Sequence, residues 1–215
     1  MMGWQEKDLF TLDDADALSD EFFRARKDDL SRRVGKRRFR HSEGVSGTAV
    51  QLARAYGADV AKARLAGILH DWDKGYSDEE VTQRARDLAV DVDPYVLESM
   101  PKVLHGKTAA AALARSYPQI PADVIQAVSR HTEGACDMTD LDMVVYVADA
   151  IEPGRDYPGV QEIRDAVGRA SLEELFVMTM REVLSSLVLR SNRVHPASVN
   201  VWNRYIERAR RASAY

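Results

Sequence analysis

The sequence predicts an all-α protein, on two observations: apolar residues recur at helical intervals through most of the chain, and Gly and Pro gather at the joints between those stretches. Residues 13–33 carry Leu18, Phe22, Phe23, Ala25 and Leu30 among charges, a pattern that lays one helix face on the rest of the protein. The next helix, Ser42–Tyr56, has Val45, Ala49, Leu52 and Tyr56 near one stripe and stops at Gly57. A third runs over Val60–Lys74, with Ala63, Gly67 and Ile68 among its small and apolar positions and Gly75 as its stop. A short helix over Asp78–Leu88 and a turn around Asp91–Pro94 follow.

Helical spacing resumes at Gly106–Ser116 and at Pro121–Arg130, where proline suits the first turn. Leu141–Ile151 has the composition of a buried strand, but Leu141, Val144, Val145 and Ala148 recur at helical intervals and make it a helix. Pro153, Gly154, Pro158 and Gly159 mark a loop. Two more helices close the chain, Ser171–Leu189, opened by a capping box of Ser171 and Glu174, and Pro196–Arg211. Leu172, Phe176, Leu187 and Trp202 read as core or dimer-face residues; a homodimer is compatible with this pattern but not specified by it.

The 215 residues, 45% hydrophobic and 30% charged, suffice for one well-buried domain. A net charge of −4 argues against a nucleic-acid binder, which needs a broad basic surface. The one basic cluster, Arg32, Arg33, Lys36, Arg37, Arg38 and Arg40, reads as a solvated helix end, as a nucleic-acid or membrane patch, or, lying just before His41, as an attractor of a polyphosphate. A single cysteine, Cys136, excludes an internal disulfide and a cysteine zinc cluster, and suits the cytoplasm. No signal pattern or membrane-length apolar run is expected from the sequence.

Four of the five histidines fall within positions 41–131, at helix ends or on faces with small apolar neighbours. His70 and Asp71 close the apolar stretch AGILHD, where burying a carboxylate is costly unless a metal or partner offsets it. Lys74, on a continued helix, would share the side of both, within reach of a phosphate; the alternative is a solvent lysine favoured by the helix dipole. Asp149 is out of place among the apolar residues of VVYVADAIEP unless it points into a polar or metal site or pairs with an arginine such as Arg155. Arg155 follows a helix-ending Pro-Gly and is free to fold back toward phosphate oxygens. His41, His70, Asp71, His105, His131 and Asp149 together form a nitrogen and oxygen donor set that suits Fe, Mn, Zn or Co, and six donors suffice for two ions. His195, before Pro196 at a helix start, reads as structural.

These residues resemble the HD superfamily, whose pattern is a His, a His-Asp pair and a distant Asp on separate helices: here His41 in RFRHSEGV, His70-Asp71 in AGILHDWDK and Asp149 in VADAIEPGR. His105 in VLHGKTAA and His131 in SRHTEG are similar to the second-metal ligands of a narrower bacterial group, the YqeK-type symmetrical dinucleoside tetraphosphate hydrolases. The likeness runs from about Arg38 to Arg210. It implies a single HD-domain helical bundle with additional C-terminal helices over 38–212, preceded by an N-terminal helical extension over 1–37. It also implies a pair of divalent or mixed-valence transition-metal ions, iron foremost, and cleavage of diadenosine tetraphosphate into two ADP.

Carried over by position, His41, His70, Asp71 and Asp149 would hold one ion, and Asp71 as a bridge with His105 and His131 the other. Asp71, Lys74 and Arg155 take the catalytic roles, and Lys74, Thr132, Arg155 and Arg38 the substrate contacts. Two positions depart from the family. Asp73 replaces a small or apolar residue, Glu133 a threonine or similar one, and an acid beside Lys74 would weaken its hold on phosphate. Two other readings stay open: an HD nucleotidase or phosphodiesterase acting on another nucleotide, and a non-catalytic nucleotide-binding regulatory module.

Overall fold

The computed structural model describes residues 16–212, so the start of the expected 13–33 helix and most of the chain before it lie outside the described residues. Among the described residues there are eleven α-helices and no strand: α1 Asp20–Arg33, α2 Lys36–Tyr56, α3 Val60–Leu69, α4 Asp78–Asp87, α5 Pro94–Ser99, α6 His105–Ser116, α7 Ala122–Arg130, α8 Asp140–Ile151, α9 Val160–Ala166, α10 Leu172–Leu189 and α11 Pro196–Ala212. A 3-10 turn, Pro101–Val103, precedes α6. No described helix is long and apolar enough to cross a membrane.

The helix ends follow local chemistry. Ser19 caps α1 by accepting from the Phe22 N–H, which starts that helix at Asp20. Gly57, in the left-handed region at φ 75°, closes α2, and Asp59 caps α3 two residues later. Thr139 with Asp142 and Ser171 with Glu174 form capping boxes on α8 and α10. Two short helices, α5 and α9, occupy segments to which the sequence assigns no element, directly after the expected turn and loop. Neither exceeds seven residues, too short for a periodic pattern to declare itself.

Two boundaries differ from expectation in ways that matter for the site. Helix α2 begins at Lys36, six positions ahead of Ser42, because only Val34 and Gly35 separate it from α1. Its first turn carries no acid and three cations, so packing rather than capping sets that start. Helix α3 ends at Leu69, not Lys74, and the chain tightens into i→i+3 turns, Trp72 N–H to Leu69 O and Lys74 N–H to Asp71 O, both 3.0 Å. Lys74 therefore reaches the site from a turn rather than from the helical face its spacing suggested. Asp73, buried within that turn, binds Arg33 at 3.2 Å and Arg84 at 2.7 Å, fastening the turn to the end of α1 and to α4.

Helix α8 forms the centre of the bundle, packed by α2, α3, α7 and α10, with Leu141 and Met143–Ala148 all buried. Apolar residues on every side are what a wholly enclosed helix requires, and they explain why its composition also fits a strand. Phe22, Leu30, Leu52, Ile68, Val128, Phe176 and Tyr205 share this core, so α1 and the C-terminal helices pack on it as well. A smaller cluster of Val81, Ala85, Val96, Met100 and Leu104 supports the segment that leads into His105. At Gly67 a Cβ would lie 2.7 Å from the Ser46 Cα, so α2 and α3 cross at backbone contact. Gly67→Ala is therefore expected to lower unfolding free energy by about 1–3 kcal/mol in urea denaturation, the usual range for overpacking.

Candidate metal centre

The topology explains how distant residues meet. Helices α2 and α3 form a hairpin joined by a short loop, so the start of α2, with His41, lies beside the end of α3, with His70 and Asp71. Helices α6 and α7 repeat the arrangement, setting His105 at the start of one beside His131 at the end of the other. Asp149 arrives from the last turn of α8.

All six expected donors converge. His41 Nε2 lies 3.0 Å from Asp149 Oδ1 and 3.7 Å from Asp71 Oδ2. His70 Nε2 is 3.4 Å from Asp71 Oδ2 and 3.9 Å from Asp149 Oδ1. Asp71 Oδ1 faces His105 Nε2 at 3.1 Å and His131 Nε2 at 3.9 Å. Two groups have ligand atoms mutually within 4.8 Å, His41–His70–Asp149 and His70–Asp71–His131. The shared member is His70, with Asp71 spanning from the first group's nitrogens to those of His105 and His131.

The ring orientations are set by one repeated contact. His70, His105 and His131 each donate Nδ1–H to the carbonyl three residues earlier, Gly67 at 2.8 Å, Lys102 at 3.0 Å and Val128 at 2.7 Å. A carbonyl can only accept, so each Nδ1 carries the proton and each neutral ring presents an Nε2 lone pair to the centre. His41 has no such carbonyl; its Nδ1–H goes to Glu152 Oε1 at 3.0 Å. Glu152 is buried and was absent from the sequence-derived set. The available signal was an acid directly after an apolar helix, as with Asp149.

This donor arrangement fits a cation. The buried His70 Nε2 has no hydrogen-bond partner, which is costly unless something positive meets it. The Nε2 atoms of His105 and His131, both with their protons spent elsewhere, face each other at 3.0 Å. Two nitrogens each about 2.1 Å from one ion, about 90° apart, lie at about that separation. The electrostatics agree. Burial opposes a proton on His70, yet Asp71 and Asp149 outweigh it and raise its pKa, so these carboxylates draw positive charge to that ring. Burial, with the neighbouring rings, pushes His131 down to about 3, which keeps it a neutral donor. Against the cost of burial, His70 and His105 hold Asp71 well below the usual carboxylate range, and His41 and His70 do the same for Asp149.

The remaining expected residues ring the centre. Arg38 donates to Asp71 Oδ2 at 2.9 Å, and Arg155 binds Asp149 through both its backbone carbonyl, at 2.7 Å, and its carboxylate. Arg155 thus makes the salt bridge that was the alternative reading of Asp149. Thr132 Oγ1 lies 3.3 Å from His131 Nε2. Lys74 Nζ lies against the His105 ring, 3.2 Å from Nδ1, and its burial lowers its pKa. Neither departing acid is spent on Lys74: Asp73 is held by Arg33 and Arg84, and Glu133 by Lys107 at 3.0 Å. His195 is structural, as expected, its Nδ1 accepting the Ala197 N–H at the start of α11.

A cavity of about 590 Å³ opens onto Asp71, His105, His131 and Asp149, with Arg38, Lys74, Thr132 and Arg155 in its wall. Its outer side is α10, through Glu182, Val183, Ser186 and Leu187, with Arg190 just past the helix end, so Leu187 lines the cavity instead of the core.

Fold and centre together define a helical protein with a histidine–carboxylate metal site at one end of its bundle. The HD domain model matches residues 38–154, and the chain belongs to the HD-domain family. More particularly, it is similar to the symmetrical bis(5'-nucleosyl)-tetraphosphatase of Bacillus subtilis (strain 168), at 31% identity over 175 residues, 81% of this chain and 92% of that protein. The protein of the same description from Staphylococcus aureus (strain NCTC 8325 / PS 47) is 32% identical over 174 residues, 80% and 89% of the two chains. A solved structure from Clostridium acetobutylicum, described as a predicted HD superfamily hydrolase involved in NAD metabolism, matches with a TM-score of 0.80 at 30% identity, covering 86% of this chain and 97% of that one.

Two predictions follow from the geometry. Glu152→Gln removes the carboxylate that orients His41, and metal affinity, measured by competition with a chelator, should fall about 10- to 100-fold. For pH, a His131 held at about 3 against an ordinary 6.5 means that the unfolded chain takes up a proton the folded chain refuses. The stability of the metal-free protein relative to a His131→Gln variant should therefore fall as pH drops from about 6.5 toward 4 in chelator-treated urea titrations. A difference independent of pH would contradict the neutral, buried ring.

Proposed function

We propose that this protein hydrolyses dinucleoside tetraphosphates symmetrically, converting diadenosine tetraphosphate and water into two ADP. The observation that carries the reading is the junction, in one cavity, of inward-facing imidazole lone pairs with Lys74, Arg38 and Arg155. The names and coverage of the B. subtilis and S. aureus relatives support the substrate. Residues 38–212 form the catalytic unit in this reading and 1–37 an extension, acting in the cytoplasm.

His41, His70, Asp71 and Asp149 are the proposed holders of one ion, and Asp71, His105 and His131 of a second, with Asp71 as bridge. Iron is the proposed metal, and the nitrogen–oxygen donor set also suits Mn, Co and Zn. Bound there, such ions supply Lewis acidity, lowering the pKa of water and offsetting charge on phosphoryl oxygens. Lys74, on its short turn, meets the phosphate chain as a partly desolvated cation. Arg38 and Arg155 neutralise Asp71 and Asp149 and line the same cavity. Their guanidinium groups are shaped to engage phosphate oxygens bidentately there. The Thr132 hydroxyl donates to a further oxygen. Water adds to one inner phosphorus, and the bond from that phosphorus to the oxygen bridging the two inner phosphorus atoms breaks. The leaving oxygen stays on the other phosphorus and takes up a proton given up by the water, completing the second ADP.

The test is elemental analysis of anaerobically purified protein, combined with separation of the nucleotides formed from diadenosine tetraphosphate. About two ions per chain and ADP as sole product are expected. Asp71→Ala should lose metal and activity together. Lys74→Ala should keep its metal while kcat/KM falls roughly 10- to 100-fold, the worth of a charge-assisted contact. Full turnover by Asp71→Ala would sink the site assignment, and products other than ADP the substrate.

A further inference from the structure

A second cavity, of about 460 Å³, adjoins the metal centre. Arg38, Gly154 and Arg155 line both cavities, and Arg37 and Arg40 line only the second. Both volumes fall in the range of small-molecule sites, about 300–1,000 Å³. The two cavities therefore meet at a pair of arginines beside the proposed reacting centre.

The two cations that line the second cavity and not the first lack ion-pair partners among the described residues. Arg37 and Arg40 are exposed, and neither forms an ion pair among the described residues, whereas Arg26, Arg64, Arg84 and Arg130 all do. They stand in the first turns of α2, where the helix dipole disfavours cations and no acid offsets them. The one carboxylate in the wall, Glu152, turns its oxygens to the His41 ring at 3.0 Å and the Gly154 N–H at 2.5 Å. What remains to meet a ligand is guanidinium, the group best shaped for phosphate oxygens.

Symmetrical cleavage requires equal nucleoside diphosphate halves on both sides of the bond that breaks, and one cavity accounts for one half. We infer that the Arg37–Arg40 cavity receives the second nucleoside diphosphate half, with the phosphate chain crossing between Arg38 and Arg155. This rests on the proposed activity for the identity of the whole substrate. Arg37 and Arg40 of the basic cluster are then neither a solvated helix end nor a nucleic-acid patch but the anchor of the departing half.

The test titrates metal-loaded protein with ADP in a calorimeter. Two ADP per chain are expected for the natural sequence, one for Arg37→Ala/Arg40→Ala, and two for Arg54→Ala, an exposed arginine at the other end of α2. For diadenosine tetraphosphate, the double variant should show kcat/KM lower by about tenfold or more, with KM raised and metal content unchanged. Arg37→Lys/Arg40→Lys should recover most of the binding. A single ADP on the natural sequence, or equal effects of the double variant and Arg54→Ala, would overturn the inference. Absence of turnover by the natural sequence overturns the proposed activity, and the ADP count decides the second cavity by itself.

Discussion

The centre depends on where four imidazole protons point. His70, His105 and His131 each give Nδ1–H to the carbonyl three residues back, and His41 gives its own to Glu152. Each ring is thereby held in one tautomer with its Nε2 lone pair aimed inward. If any ring turned its proton toward the centre, it would offer a donor where the site requires an acceptor. The helical fold supplies three of these contacts from within single turns, so most of the preparation of the site is local.

Local preparation still has to be gathered, and the two hairpins do that. Pairing a helix start with a helix end, in α2–α3 and again in α6–α7, puts five donors at one end of the bundle, and α8 delivers the sixth, Asp149, from its last turn. The close crossing of α2 and α3 at Gly67 brings the first pair together. Concentrating Asp71, Asp149 and Glu152 there carries a desolvation cost, offset by Arg38, Arg155 and the His41 ring. The same arginines line the cavity, so the cations that balance these acids also face its interior.

The helices were readable because their apolar spacing and caps are local properties, and α8 was readable even though its composition also fits a strand. The six donors were readable because His70-Asp71 and Asp149 are conspicuous in apolar surroundings, and because their order along the chain resembles a known pattern. Spacing misled at Lys74, since α3 gives way to tight turns at His70 once Asp73 is drawn to Arg33 and Arg84. Asp73, which looked like a threat to Lys74, is matched by Arg33 and Arg84, and Glu133, the other departing acid, by Lys107. No local rule reveals such partners.

By itself, then, the sequence determined an all-α chain with an oxygen- and nitrogen-rich donor set, because helix periodicity and side-chain chemistry act over a few neighbouring residues. Tertiary structure alone decided that Glu152 steadies His41, that His105 and His131 meet at 3.0 Å, and that α10 walls the cavity. It also decided that arginines from the start of α2 share a boundary with the metal centre. These are juxtapositions of residues distant in sequence, 111 positions apart for His41 and Glu152. They arise when separate helices bury their apolar faces together, and the direction of a polar side chain across that interface is written in no single stretch of the chain.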